Sequence, residues 1–274
     1  MTHRFRAAVL GSPIAHSRSP ELHTACYALL GRSDCTYERI EVRAGQLASF
    51  LRGLDNTWMG VSLTMPLKEE GLSAVERVEP SSARIGAINT VAFLPVGVSG
   101  FNTDQIGVRE SIRPYLPVGG TVVVVGTGAT ARSALSALVE FEPSQVTIVG
   151  RNLVKFWEMC ERFPELPLTW LDWPESGSGP AATELAADVT ISTLPNNVAN
   201  PLTPLAGQLL IDVNYPNPAN LQRWRAAGGE GVDGITLLIA QGVAQVSLMM
   251  NGLDLTAMWD ELVDAATAAV RATL

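Results

Sequence analysis

Short apolar runs alternate with segments of helical period through the first hundred residues. Phe5–Leu10 reads as a strand that stops at Gly11. Ser19-Pro20 predicts a helix start, with the hydroxyl at the cap and proline at the first helical position, and the helix runs to about Leu30. Thr36–Val42 predicts a strand, Gln46–Leu54 a helix and Gly60–Leu63 a short strand. Thr90–Phe93 followed by Gly97-Val98-Ser99-Gly100 predicts a hairpin with its turn at the glycines.

From Thr121 the pattern sharpens. Thr121–Val125 is a β-branched run of the type buried on both faces of a parallel sheet. A glycine-rich turn follows, then a helix to about Phe141, a strand over Gln145–Val149 and a helix over Leu153–Arg162. Val189–Ser192 and Leu209–Val213 read as further strands, and Pro174–Pro180 as a surface loop. Two helices close the chain, Gly234–Met250 and Leu255–Val270, parted by the C-cap signal Asn251-Gly252. The second is amphipathic, with Leu255, Met258, Trp259, Leu262 and Ala266 on one side. Strand and helix in alternation predict an α/β fold with mostly parallel sheets. At 274 residues the chain exceeds what one core usually serves, so two domains are expected.

Gly234–Leu253 holds 20 residues without a charge, enough to span a bilayer as a helix. Gln241 and Gln245, four apart, share one helical face, which gains nothing in lipid. The expectation is a helix packed between a core and a substrate cleft, with no membrane partner. A net charge of -8 argues against a nucleic-acid partner. The surplus is uneven: the first 104 residues are neutral overall, with 10 basic and 10 acidic side chains. Three widely spaced cysteines form no metal spacing and no disulfide framework, and the N-terminal stretch lacks an apolar run of signal-peptide length. A cytoplasmic protein is expected. Of 19 basic residues only Lys68 and Lys155 are lysine. Lysine can release a proton when partly buried and arginine cannot, which draws attention to Lys68.

Gly126-x-Gly128-x-x-Ala131, after a strand and before a helix, carries the dinucleotide pattern: a tight turn that brings backbone close to a pyrophosphate at the helix N-terminus. The next strand ends at Gly150-Arg151-Asn152 with no acidic residue for ribose hydroxyls. Arg151 instead suits a 2′-phosphate, and Lys155 adds a second charge, so NADP is expected as cofactor. Upstream, Ser17 and Ser19 place two hydroxyls ahead of a helix N-terminus, suited to a carboxylate. Thr64 and Lys68 sit at a strand end and helix start. Asn89, Asn102, Thr103 and Asp104 add polar groups at further strand ends. His16 and His23 receive no role.

These segments, GSPIAHSRSP, TMPLK, AINT, FNTD, the glycine turn and Asp233-Gly234…Gln241, resemble in order the shikimate dehydrogenase family. The resemblance implies an enzyme that reduces 3-dehydroshikimate to shikimate with NADPH, a small-molecule substrate as partner, and a monomer or homodimer. It implies a substrate domain over residues 1–104, a Rossmann-like NADP domain over 105–233, and C-terminal helices, 234–274, that return to the first domain. Catalysis is then expected between domains that close on each other. It implies that Ser17 and Ser19 hold the substrate carboxylate, approached by Tyr215, while Thr64, Asn89, Asp104 and Gln241 hold ring hydroxyls. Lys68 and Asp104 become the catalytic pair. Gly126, Thr127, Gly128, Ala129 and Thr130 cradle the pyrophosphate; Arg151, Asn152 and Lys155 lie near the 2′-phosphate, and Val213 and Gly234 near the nicotinamide. No metal is implied. The chain departs from the family pattern at Ser62, Thr127, Thr130, Gly150, Asn152 and Pro218-Ala219-Asn220-Leu221, none of which removes a catalytic group.

A quinate/shikimate or aminoshikimate dehydrogenase, or a non-catalytic NADP-binding regulator on the same fold, remain alternatives. A methyltransferase also uses a glycine-rich turn after a strand but leaves the N-terminal hydroxyl and lysine set unexplained.

Overall fold

The computed structural model describes residues 5–173 and 185–274, so the proposed loop Pro174–Pro180 lies outside the described residues. The chain forms two compact units, Met1–Asp104 with Leu238–Leu274, and Gln105–Leu237. The first unit runs β1 (Phe5–Gly11), α1 (Ser19–Leu29), β2 (Cys35–Glu41), α2 (Leu47–Arg52), β3 (Trp58–Leu63), α3 (Leu67–Ala74), β4 (Arg77–Val78), α4 (Pro80–Ile85), β5 (Thr90–Leu94) and β6 (Gly97–Phe101). Helix α5 (Asp104–Ile112) leads into the second unit. This runs β7 (Thr121–Val125), α6 (Ala129–Leu138), β8 (Gln145–Gly150), α7 (Leu153–Arg162), β9 (Leu168–Asp172), β10 (Val189–Ser192), β11 (Leu209–Asp212), α8 (Ala219–Ala226) and β12 (Glu230–Val232). Helix α9 (Ile235–Met249) brings the chain back to the first unit, where α10 (Trp259–Arg271) ends it.

The first sheet has the order β2-β1-β3-β5-β6-β4. β1 pairs parallel with β2 and β3, while β5 runs antiparallel to both β3 and β6. That single reversal matters for the site. It sets the start of β5, at Asn89-Thr90, beside the ends of β3 and β6, with Thr90 opposite both Ser62 and Phe101. The core under this sheet is Ala8, Leu10, Leu47, Val61, Leu63, Leu67, Ile88 and Val91, all nearly inaccessible. Helix α9 is buried nearly all round, which explains its uncharged sequence. A side chain at its Gly242 would run into Leu22 of α1, so glycine lets the two helices approach closely. Among the described residues no helix is long and apolar enough to cross a membrane.

The second sheet is parallel throughout, in the order β12-β11-β10-β7-β8-β9. β7 lies between β8 and β10, so the chain reverses its direction of travel across the sheet at β7. In doubly wound sheets the ligand crevice opens at the carboxyl ends of the strands at this switch point, where the Gly126–Gly128 turn sits.

Two local expectations are corrected. Ser19 is not a helix cap: Arg18 holds that position and no side chain caps the helix. The Ser19 hydroxyl is drawn elsewhere, to Ser17 and Tyr37. The hairpin turn lies at Pro95-Val96, since Leu94 pairs with Gly97, and Gly97–Phe101 is strand. Gly100 serves close packing, because a Cβ there would meet Ile88 Cδ1 at 2.7 Å, while Gly97 has a φ of 119° that favours glycine.

Gly60, paired with Ala92 across the β3–β5 ladder, leaves no room for a side chain: a Cβ there would overlap the Val91 carbonyl. Gly60→Ala is expected to destabilise the protein by about 1–3 kcal/mol. Urea denaturation checks this, and an unchanged midpoint would count against the tight ladder.

Candidate active site

Lys68 is the second residue of α3, directly after the strand end that carries Thr64. Its ammonium donates to Asp104 Oδ2 at 2.5 Å, with the carboxylate only 7% exposed. An ion pair this sheltered persists only when its remaining atoms are also satisfied. On the carboxylate side they are: Asn89 Nδ2 donates to Asp104 Oδ1 at 2.8 Å, while the Asp104 backbone N–H donates to Asn102 Oδ1. Asn89 is itself held by Thr103, whose backbone N–H donates to Asn89 Oδ1 at 2.8 Å, and it reaches Gln241 Oε1 at 3.2 Å. Lys68, Asp104, Asn89 and Gln241 thus form one connected group drawn from α3, α5, the start of β5 and α9.

The group continues beneath the sheet edge. Tyr37 donates to Ser62 Oγ at 2.6 Å, Ser62 to Gln245 Oε1 at 2.7 Å, and Gln245 Nε2 to the Asn89 carbonyl and Thr90 Oγ1. Thr90 closes the chain onto Asn89 Oδ1 at 2.8 Å. Every donor in this series points the same way, so the orientation of the Gln245 amide fixes that of Asn89. Tyr37 also engages Ser19, whose hydroxyl lies 3.3 Å from that of Ser17; both serines are buried. Arg39 pins the Ser17 carbonyl at 2.6 Å while forking onto Glu21. Thr64 is half-buried, its methyl turned to Gly11.

His23 is fully buried, stacked on Tyr37 with ring centroids 3.8 Å apart, and its Nε2 lies 3.3 Å from Gln245 Oε1. Burial pushes its pKa down to about 3, against a smaller opposing effect of Gln245. Its neutral Nε2–H is the donor to Gln245, which leaves Nδ1 to accept from Tyr27. Burial likewise raises the Tyr37 phenol.

In the second unit Gly126, Thr127, Gly128, Arg151, Asn152 and Lys155 line one cleft of about 340 Å³, together with Gly150, Trp173, Thr193, Leu194 and Pro195. The cleft fits a dinucleotide phosphate on two observations. Gly126 has a φ of 117°, a conformation that favours glycine. Gly128 opens α6 with no side-chain cap and open space where a Cβ would stand, so the helix N-terminus is free to face an anion. Ala129 and Thr130 form the first turn of that helix. Asn152 caps α7, accepting the Lys155 backbone N–H at 3.2 Å. Val213 and Gly234 abut one another, outside the lining of this cleft. Tyr215, also in the second unit, follows β11 on a loop braced by Asp212, whose Oδ1 accepts both the backbone and the side-chain N–H of Asn214. Burial holds the Asp212 carboxyl above its ordinary range.

Sequence reading missed Tyr37 and Trp173, and noted His23, Ser62 and Gln245 without giving them a role at the site. The signal available was the shared face of Gln241 and Gln245; the ring contacts of Tyr37 and Trp173 leave no local trace.

A glycine-rich anion cleft on a doubly wound sheet, together with a unit carrying a sheltered lysine–carboxylate pair, defines a dinucleotide-binding chain with a separate polar centre. The family "shikimate dehydrogenase substrate binding domain" matches residues 9–91, and "shikimate / quinate 5-dehydrogenase" matches 117–177. The shikimate dehydrogenase (NADP(+)) of Synechococcus sp. (strain JA-3-3Ab) is 32% identical over 261 residues, which span 89% of this chain and 87% of the relative. The crystal structure of Mycobacterium tuberculosis shikimate dehydrogenase superposes with a TM-score of 0.83 at 32% identity, over 98% of this chain and 99% of that one. That of Thermus thermophilus shikimate 5-dehydrogenase, in complex with NADP(H) and shikimate, superposes with a TM-score of 0.78 at 27% identity, over 98% and 100%. The chain belongs to the shikimate dehydrogenase family.

The buried neutral His23 has a pH signature. Its folded pKa lies near 3 and that of an unfolded histidine near 6.5, so between these values the unfolded state binds the extra proton. Its contribution to stability is complete above pH 6.5 and is lost as pH falls towards 3, at up to about 1.4 kcal/mol per pH unit. His23→Gln is expected to flatten the dependence of urea stability on pH between 6 and 4.5. Parallel curves for both proteins would contradict the assignment.

Proposed function

We propose that the protein catalyses the reversible reduction of 3-dehydroshikimate to shikimate with NADPH. The observation that carries this reading is the sheltered Lys68–Asp104 pair held by Asn89, which in turn donates to Gln241, with the paired hydroxyls of Ser17 and Ser19 in the same unit. NADPH, when bound, supplies the hydride for the carbonyl carbon. Gly126 to Thr130 would hold its pyrophosphate, Arg151, Asn152 and Lys155 its 2′-phosphate, and Val213 and Gly234 would lie near its nicotinamide.

The chain's own residues do the rest. Ser17 and Ser19 bind the substrate carboxylate, with Tyr215 contributing a phenol. Thr64, Asn89 and Gln241 take up ring hydroxyls and so orient the reacting carbon. Lys68 Nζ gives a proton to the carbonyl oxygen as the alcohol forms, and takes it from the hydroxyl in the oxidative direction. Asp104 orients the ammonium through Oδ2 while its Oδ1 is fixed by Asn89. A regulator that only binds NADP has no need of so closely held a pair. We assign substrate binding to residues 1–104 with the C-terminal helices, 234–274, and cofactor binding to 105–233. The three free cysteines support a reducing, cytoplasmic setting, and a monomer or homodimer is the expected assembly.

The test is a spectrophotometric assay with shikimate and quinate, each with NADP⁺ and NAD⁺. Turnover of shikimate with NADP⁺ is expected to dominate; a preference for quinate, or no turnover of either acid, would overturn the reading. Asp104→Asn keeps the shape but removes the charge that holds Lys68, and is expected to lower kcat at least tenfold. A kcat within twofold of wild type would remove Asp104 from the mechanism. Arg151→Ala is expected to raise KM for NADPH far more than for NADH, and equal losses would reject Arg151 as the phosphate ligand.

A further inference from the structure

Arg151 stands exposed at the end of β8, where a long side chain would ordinarily sample many rotamers. It does not hang free. Its guanidinium carbon lies 5.1 Å from the centre of the Trp173 ring, within cation–π range. The register of the sheet produces this meeting: Gly150 pairs with Asp172, and the Trp173 backbone N–H donates to the Gly150 carbonyl at 2.8 Å. The residues that follow the two strand ends are therefore Arg151 and Trp173, and both line the cleft with Gly126 and Gly128.

The surroundings hold this arrangement in place. Gly150 leaves no room for a side chain, since a Cβ there would meet both Thr127 Cγ2 at 2.8 Å and Trp170 Cη2 at 2.9 Å. Thr127 and Gly150, both departures from the family pattern, thus fit each other. Trp170 Nε1 donates to Asp172 Oδ1 at 2.7 Å, which occupies the one acidic side chain adjoining Trp173 in the described sequence. Among the described residues no carboxylate pairs with Arg151. A cation–π contact uses no N–H donor, and no described residue accepts a hydrogen bond from the Arg151 side chain, so its five N–H donors remain available.

We propose that Trp173 is a positioning residue for recognition of the cofactor's 2′-phosphate: it holds Arg151 at the cleft with its N–H rim free for a phosphomonoester. This rests on the NADP reading given above. It makes Trp173 a determinant of NADP over NAD selectivity that acts through Arg151.

The test measures binding rather than turnover. Calorimetric Kd values for NADP⁺ and NAD⁺ are determined for wild type, Trp173→Leu, Trp173→Phe, Arg151→Ala and the Arg151→Ala/Trp173→Leu double variant. Trp173→Leu keeps apolar bulk without a π-face and is expected to weaken NADP⁺ about two- to fivefold with NAD⁺ unchanged. Trp173→Phe is expected to recover most of that loss. In the Arg151→Ala background Trp173→Leu is expected to cost NADP⁺ nothing more. Unchanged NADP⁺ affinity in Trp173→Leu, equal weakening of both cofactors, or a full further loss in the double variant would each overturn the inference, while wild-type selectivity and its collapse in Arg151→Ala left the cofactor reading intact. A wild-type protein that binds NAD⁺ as tightly as NADP⁺ would overturn the cofactor reading and this inference with it.

Discussion

The Lys68–Asp104 contact sets the terms for the first unit. A carboxylate 7% exposed is costly unless each of its oxygens has a partner. Lys68 serves one oxygen and Asn89 the other. Asn89 can do so only if its own amide is oriented, and that is the work of Thr103, Thr90 and, through Thr90, Gln245. The demand for satisfied polar groups passes from one side chain to the next until it reaches Tyr37 and Ser19, so the proposed proton-transfer group and the proposed carboxylate ligands belong to one network.

The sheet makes this possible by a single reversal. In an all-parallel sheet the start of β5 would lie at the opposite edge from the ends of β3 and β6. Running antiparallel, β5 begins where they end and delivers Asn89 between Leu63 and Phe101, with whose backbone groups it pairs. Helix α9 completes the edge with Gln241 and Gln245, one turn apart on the same face, which is why so apolar a helix retains two buried amides.

Much of this was legible along the chain. The β-branched run Thr121–Val125, the glycine turn after it and the Asn251-Gly252 break all carry their meaning in local sequence, and both of those latter residues have left-handed backbone, φ 61° and 71°. The uncharged Gly234–Leu253 stretch also read correctly as a packed helix once its glutamines were noticed. What escaped has a common cause. The His23–Gln245 contact joins residues 222 apart and Ser62–Gln245 joins residues 183 apart. Which of many buried polar groups will meet across such separations depends on sheet order and register, which periodicity does not encode. Ser19 misled for the opposite reason: its local pattern is that of a cap, and tertiary partners took its hydroxyl instead. The Arg151–Trp173 contact again depends on register, through the Gly150–Asp172 pairing.

The central claim is that Lys68 moves the proton while its neighbours hold the substrate. Single-turnover oxidation of NADPH by 3-dehydroshikimate, compared between wild type and Lys68→Ala with the shikimate Kd measured alongside, tests it most directly. The account predicts a rate lower by about 10²–10⁴-fold with the Kd changed less than tenfold. A single-turnover rate within a few fold of wild type, in a normally folded variant, would contradict it.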